Sequence, residues 1–395
     1  HLKSAYDVIV VGAGPGGSTA ARYAAELGLD TLLLEKRQEV GAPVRCAEGI
    51  GTQTMKRFIE PDPSWVALVI NRCRLIAPNG KYVEIEAPGE GLILERKIFD
   101  RRLAELAAEK GADVRCKARV TSVLKDGDAV TGVEVKHLGK DYKIHAKIVI
   151  AADGVESQVA RWGGVNTTVK LVDLDACAQF LVAGMNLDPV DCCYFYVGHD
   201  YAPGGYAWIF PKRSDLANVG LGITPLHTTK TGETAADVLH RWMAKEFPNA
   251  SIVSMVVGGI PIDGKPRQIS ASGLMIIGDA AHQADPMTGG GITNAMIAGQ
   301  IAAQVGAKAM RANDVSADAL AEYDKRWHKE VGRAFKPLLS IRDEVMVYDD
   351  EFLNDLAGRL GDRPRLTVVD VFKTAVRTRP RLLWDLGQLA AMGWF

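Results

Sequence analysis

Apolar residues occupy positions 8–11 without a break, yield to a glycine-rich stretch at 12–17, return in an Ala-rich segment to about Leu27, and fill 31–34 again. A short unbroken apolar run suits a strand covered on both faces, and an Ala-rich segment suits a helix. The order is strand (7–11), glycine turn, helix, strand, which is a βαβ unit. Further along, alternating stretches at 72–76 and 82–85 flank Asn79-Gly80. This predicts a hairpin, with Asn-Gly in the two-residue turn that matches strand twist. A helix is expected over 99–110, then strands near Val114 and Val120, and a short strand at 147–152 that ends in Ala152-Asp153-Gly154.

From about 171 to 260 the pattern becomes well-spaced β-branched and aromatic segments, with one helical stretch near 235–247. This reads as a mixed β-sheet platform. An apolar run at 274–277 leads into Gly278-Asp279, and a long Ala-rich helix begins at about Gly291. From Ala317 onward helical spacing dominates. No internal repeat or low-complexity segment interrupts the chain.

The chain has 395 residues, 47% hydrophobic and 24% charged, enough for two packed lobes and unlike a disordered protein. Its net charge of -1 gives no basic field for nucleic acid. The 6 cysteines, Cys46, Cys73, Cys116, Cys177, Cys192 and Cys193, form no CxxC pair. A disulfide framework or metal site is therefore not expected, and a reduced, cytoplasmic setting is. No signal-peptide pattern precedes the first strand, and no apolar run is long enough for a spanning helix. Near the C-terminus Lys373, Arg377, Arg379 and Arg381 precede Leu382, Leu383, Trp384, Leu386, Leu389, Met392, Trp394 and Phe395. Two readings stay open: peripheral contact with the cytoplasmic membrane face, or a terminal helix docked on the core.

Gly12-Ala13-Gly14-Pro15-Gly16-Gly17 is GxGxxG between strand and helix. Gly12 permits the tight turn, Gly14 lets backbone approach a pyrophosphate, and Gly17 lets the helix pack on the strand. The helix N-terminus, opened by Pro15 and Gly16, offers free N–H groups to phosphate. Glu35 closes the next strand where a carboxylate accepts from ribose hydroxyls and repels a 2′-phosphate.

Remote motifs decide for FAD. Gly278-Asp279-Ala280-Ala281-His282, Pro286 and Gly289-Gly290-Gly291-Ile292 resemble the second flavin motif of the aromatic hydroxylase and geranylgeranyl reductase superfamily. The resemblance implies that Asp279 meets the ribityl hydroxyls, with Gly290 and the amides of Gly291 and Ile292 at the flavin pyrimidine edge. A helix start there would favour the negative charge of the reduced ring. Glu95-Arg96-Lys97-Ile98-Phe99-Asp100 is similar to the helix-opening element whose Arg contacts flavin, which assigns Arg96; an exposed helix-start cation is its plain alternative. Asp153 lies in the matching Asp-Gly motif. The resemblance further places Lys36, Arg45, Ala47, Gly49 and Val120 beside the cofactor. The implied fold class is α/β: a Rossmann-type FAD/NAD(P)-binding fold with an inserted mixed β-sheet substrate domain and a helical C-terminal region. Its expected boundaries are 1–165 with 265–316, 166–264, and 317–395.

Arg45-Cys46-Ala47-Glu48-Gly49-Ile50, and Pro203 through Pro211 matching PxxYxWxFP, resemble the geranylgeranyl reductase family, above all its archaeal-type members acting on digeranylgeranylglycerophospholipids. The resemblance implies hydrogenation of prenyl-chain alkenes, with NAD(P)H, ferredoxin or another low-potential carrier as electron donor. Tyr206, Trp208 and Phe210 alternate, so their rings share one sheet face, as a prenyl-chain wall or as core aromatics. An isolated alkene accepts hydride poorly, so a proton must be supplied. Cys46 is the candidate donor; a loop residue touching flavin through its backbone is the other reading. His282 is expected in a structural hydrogen bond. Three rivals remain: a flavin-dependent halogenase, whose WxWxIP is similar to 206–211 with Tyr and Phe exchanged in; an aromatic hydroxylase; and a non-enzymatic flavin-binding sensor or lipid carrier.

Overall fold

The computed structural model describes residues 2–264, 267–361, 385–386, 388–389 and 392. They divide into two compact units. The first comprises 1–43, 96–169 and 261–336; the second comprises 44–95, 170–260 and the described part of 337–395. Segment 44–95, assigned to the nucleotide lobe by the expected boundaries, thus clusters with the second unit. The reason is strand pairing, since Val66–Ile76 pairs in parallel with Cys192–Val197. Residues 317–336 cluster with the first unit because helix Ala317–Glu330 buries Leu320, Tyr323 and Trp327 there.

In the first unit the parallel strands Leu274–Ile276, Lys140–Ala151, Ala5–Val11, Thr31–Leu34 and Asp113–Arg115 lie side by side in that order. Ala118–Asp126 and Ala129–His137 extend the sheet as an antiparallel meander. Strand Lys140–Ala151 is longer than the 147–152 expected, because it serves both parts. Its first half pairs with Ala129–His137 and is mostly exposed, and exposed and buried positions alternate over 143–147. Its second half lies between two parallel neighbours, and its last four residues are all buried. The sequence KDYKIHAKIVIA carries that switch from alternation to an unbroken apolar run.

Helix Pro15–Glu26 follows the glycine turn and helix Ile292–Arg311 lies across it. Side chains at Gly16 and Gly299 would collide with the opposite backbone, so the two helices approach main chain to main chain.

The second unit is an eight-stranded sheet ordered Ser251–Pro261, Leu174–Ala183, Leu216–Ile223, Tyr206–Arg213, Cys192–Val197, Val66–Ile76, Tyr82–Leu94 and Gly49–Gly51. One face carries Phe180, Val182, Val219, Leu221 and Ile209 and packs on helix Ala235–Glu246 through Val238, Leu239 and Trp242. A capping box of Thr234 and Asp237 fixes that helix start. The opposite face holds the aromatic residues described below.

The hairpin at Asn79-Gly80 closes differently from expectation. Ala77 N–H donates to Lys81 C=O at 2.8 Å and Gly80 N–H to Ala77 C=O at 2.9 Å, leaving a three-residue loop, Pro78-Asn79-Gly80. Gly80 takes φ +79°, the left-handed position that follows a type I turn in such loops.

After 317, helices Ala317–Glu330, Phe335–Val345 and Asp350–Leu360 are described. Of the basic and apolar terminal segment, Lys373, Arg377, Arg379, Arg381, Leu382, Leu383, Trp384, Trp394 and Phe395 lie outside the described residues. Among the described residues no helix is long and apolar enough to cross a membrane. Among the described residues the six cysteines form no disulfide.

Candidate functional site

The dinucleotide site grows from the first turn of the first unit. Gly12 sits at φ +105°, and a side chain there would strike the Ala152 carbonyl; one at Gly17 would strike the Gly12 carbonyl. Gly14 differs: a Cβ there meets nothing within 4 Å. The protein's own packing does not require that glycine, whereas backbone approach of a pyrophosphate does. Pro15 opens the helix, and no side chain caps its first turn.

Val11, Gly12, Gly14, Leu34, Glu35, Lys36, Val120 and Asp153 line a cleft of about 200 Å³. The Glu35 carboxylate accepts from Ala13 N–H at 3.1 Å and from Arg37 N–H at 2.8 Å, which fixes it at the cleft edge. Asp153 Oδ2 accepts from Val159 N–H at 3.0 Å, while Oδ1 is buried with no hydrogen-bond partner among the described residues. Burial pushes the Asp153 carboxyl up, and backbone donors offset part of that rise. A glycine cradle, a fixed carboxylate and a buried unsatisfied oxygen fit a bound dinucleotide.

Asp279 and Gly291 also meet in the first unit, where a Cβ on Gly291 would stand 3.5 Å from Asp279 Oδ1. Gly290 precedes it, and Ile292 begins the long helix. Desolvation raises the Asp279 carboxyl, opposed by the charges of Arg96 and His282. Arg96 makes a two-pronged pair with Asp100, both contacts 2.7 Å. It is therefore held on its own helix and is not the exposed cation of the plain reading.

The turn itself is tied by residues the sequence reading missed. Gln283 Oε1 accepts from Gly278 N–H at 2.6 Å, and Asp285 Oδ1 accepts from Met287 and Thr288 N–H at 2.8 and 2.9 Å. His282 is structural, as expected: Nδ1 lies 3.2 Å from Asp263 Oδ1 and Nε2 3.0 Å from the Thr167 carbonyl oxygen.

The second unit brings together the remaining candidates. Tyr206, Trp208 and Phe210 run down one face, with successive ring centroids 5.7 and 6.5 Å apart. Phe195, opposite Trp208 on the next strand, lies 5.9 Å from Tyr206 and 5.4 Å from Phe210, making a wall of four rings. The Trp208 indole lies over Gly220, where a side chain would overlap its ring.

Loop 45–49 is fastened to the same sheet. Arg45 is exposed. Gln179 Nε2 donates to Cys46 C=O at 2.8 Å, and Asn218 Nδ2 donates to Ala47 C=O at 3.1 Å. Glu48, buried at φ +73°, receives Lys212 Nζ at 2.7 Å and Asn218 Nδ2 at 2.7 Å. Its own N–H donates to Cys46 Sγ at 3.2 Å. Gly49 lies against the Phe210 ring. Trp208 is also part of this network, because its indole N–H donates to Gln179 Oε1 at 3.0 Å. No motif pointed to Gln179, Asn218 or Lys212. The signal available was Gly220 and Gly222 alternating on a strand, the mark of a bulky neighbour lying across it.

The family model of the geranylgeranyl reductase catalytic domain matches 173–260, and that of an NAD(P)-binding Rossmann-like domain matches 10–49. A digeranylgeranylglycerophospholipid reductase of Methanococcoides burtonii is 46% identical over 98% of this chain and 96% of its own. The crystal structure of a geranylgeranyl bacteriochlorophyll reductase-like protein from Thermoplasma acidophilum superposes with TM-score 0.91 at 34% identity, covering 98% and 99%. A flavin-dependent brominase shares the fold at TM-score 0.69 and 20% identity, covering 95% of this chain and all of that one (100%).

Proposed function

Since the chain belongs to the family of digeranylgeranylglycerophospholipid reductases, we propose that it is an FAD-dependent oxidoreductase saturating C=C bonds of geranylgeranyl chains in membrane-lipid biosynthesis. The observation that supports this most directly is the second unit's aromatic face. Four contacting rings, one of them over Gly220, make an aromatic face suited to an isoprenoid tail.

In this reading Gly14 and the N–H groups of helix Pro15–Glu26 take the pyrophosphate in a turn shaped by Gly12, Gly16 and Gly17, Glu35 takes the ribose, and Lys36, Val120 and Asp153 the rest of the cleft. Asp279, Arg96, Gly290 and the amides of Gly291 and Ile292 take the ribityl and ring end. FAD, when bound and reduced, supplies the hydride. The protein must do the rest for a poor acceptor: seat the alkene, exclude water and provide a proton to the second carbon. Tyr206, Trp208 and Phe210 seat the chain. Cys46 is assigned the proton, and the Glu48 N–H that points at Sγ stabilises the charge left on sulfur. Arg45, Ala47 and Gly49 carry the loop beside the cofactor. NAD(P)H, ferredoxin or another low-potential carrier restores the reduced state. Because the substrate's tails lie in a bilayer, the protein is assigned to the cytoplasm with peripheral contact at the membrane face.

Mass spectrometry of a geranylgeranyl glycerophospholipid incubated with dithionite-reduced protein tests the reading. Products heavier by pairs of hydrogens are expected; unchanged lipid across several head groups would sink it. Cys46→Ala with bound FAD and undiminished turnover would remove the thiol from the mechanism.

A further inference from the structure

Cys46 and Trp208 sit on different elements, yet one side chain joins them. Gln179, on strand Leu174–Ala183, donates through Nε2 to the Cys46 carbonyl at 2.8 Å and accepts through Oε1 from the Trp208 indole N–H at 3.0 Å. The direction of this relay is fixed by chemistry. An indole nitrogen only donates and a carbonyl oxygen only accepts, so the amide has one orientation that satisfies both. Gln179 is buried, and so is Trp208; reversing the amide would set donor against donor and acceptor against acceptor inside the protein.

The thiol of the same residue has a backbone partner of its own. Two residues on, the Glu48 N–H reaches back to Cys46 Sγ at 3.2 Å. The charged groups around the loop are Arg45, Glu48 with its partner Lys212, and Glu95, which also contacts Lys212. None of them is the group held by Gln179.

We propose that Gln179 is a positioning residue for Cys46: oriented by Trp208, its amide holds the Cys46 carbonyl and thereby keeps the thiol in line with the Glu48 N–H. The wall that seats the alkene and the group that protonates it are then set by one hydrogen-bond chain. This rests on the assignment of the proton to Cys46 made above.

The test uses the full chain with Gln179→Met, which keeps shape and removes both hydrogen bonds, and Trp208→Phe, which keeps an aromatic ring and removes the orienting N–H. Alkylation of Cys46 by iodoacetamide, followed by peptide mass spectrometry across neutral to alkaline pH, reports the thiol without any turnover. Each variant is expected to move the Cys46 alkylation midpoint upward by about one pH unit, the scale of one hydrogen bond to a charged acceptor. The double variant should move it no further than the larger single shift. With lipid substrate, Gln179→Met should lower kcat about tenfold, the same shift read as a rate, and leave KM nearly unchanged. Folded variants whose alkylation profile coincides with the parent would overturn the proposal, as would a double variant whose shift is the sum of the singles. Should Gln179→Met fail to fold, Trp208→Phe decides by the same profile. Cys46→Ser with parental turnover would instead strike the proton-donor assignment while leaving the measured clamp intact, so the two failures are distinct.

Discussion

Lys212 Nζ lies 2.7 Å from Glu48 Oε2 with both side chains almost fully buried, and its other contacts are Glu95 Oε2 at 2.8 Å and the Leu94 carbonyl at 3.1 Å. Three acceptors match the three N–H groups of an ammonium, so the charge is fully satisfied. Removing one partner strands the other in a low-dielectric site. Lys212→Met alone should cost about 3 kcal/mol, and Lys212→Met with Glu48→Gln should recover most of that loss. Urea midpoints of the three proteins measure it; a single variant as stable as the double would contradict the pairing.

Gly14 and Gly17 stand three positions apart but should fail differently. Gly17→Ala drives a methyl into the Gly12 carbonyl and should lower the melting temperature strongly. Gly14→Ala meets no protein atom within 4 Å, so the apoprotein should melt like the parent while flavin affinity falls about tenfold or more. Thermal melts of apoprotein and flavin retained after gel filtration separate the two effects. Equal loss of fold in both would refute the assignment of Gly14 to the ligand.

Asp175 pairs with Arg342 at 2.8 Å, yet burial pushes its carboxyl up from 3.8 to about 6, the nearby cation offsetting only part. A raised acid binds its proton more tightly in the native than in the unfolded state. Between pH 3.8 and about 6 the native state therefore loses stability as pH rises, by up to about 3 kcal/mol. Asp175→Asn removes that slope. Its stability relative to the parent should climb through this window and level off above it, whereas a pH-independent difference would show that Asp175 does not titrate there.

Phe195 contributes a ring to the wall from outside the PxxYxWxFP segment. Phe195→Ala should raise KM for the prenyl lipid about tenfold, consistent with the 3–5 kcal/mol scale of a buried aromatic truncation discounted for this half-buried ring. Bound flavin per protein should stay at the parental ratio. Loss of flavin together with lipid affinity would place Phe195 elsewhere in the mechanism.

Much of this was readable in advance where the signal is local. The first strand, helix and strand fall at Ala5–Val11, Pro15–Glu26 and Thr31–Leu34, because an apolar run, a glycine turn and an Ala-rich segment each have one good solution. Helix Ala235–Glu246 falls within the helical stretch expected near 235–247. The polar network was not readable. Gln179 meets the Cys46 carbonyl across 133 positions and Asn218 meets the Ala47 carbonyl across 171, and a lone polar residue on a strand looks like one facing solvent. The partition of 44–95 was hidden likewise, since parallel pairing of Val66–Ile76 with Cys192–Val197 leaves no turn signal between them.

The backbone contact between Gly16 and Gly299 bears on how the chain is made. A ribosome delivers the glycine turn and helix Pro15–Glu26 first, but the helix that crosses them arrives some 280 residues later. At translation speeds of about 5–20 residues per second, the early apolar face waits roughly 14 to 56 seconds for its cover. The nascent chain thus carries that surface without its final cover through most of its synthesis, before the stability of the finished fold can protect it.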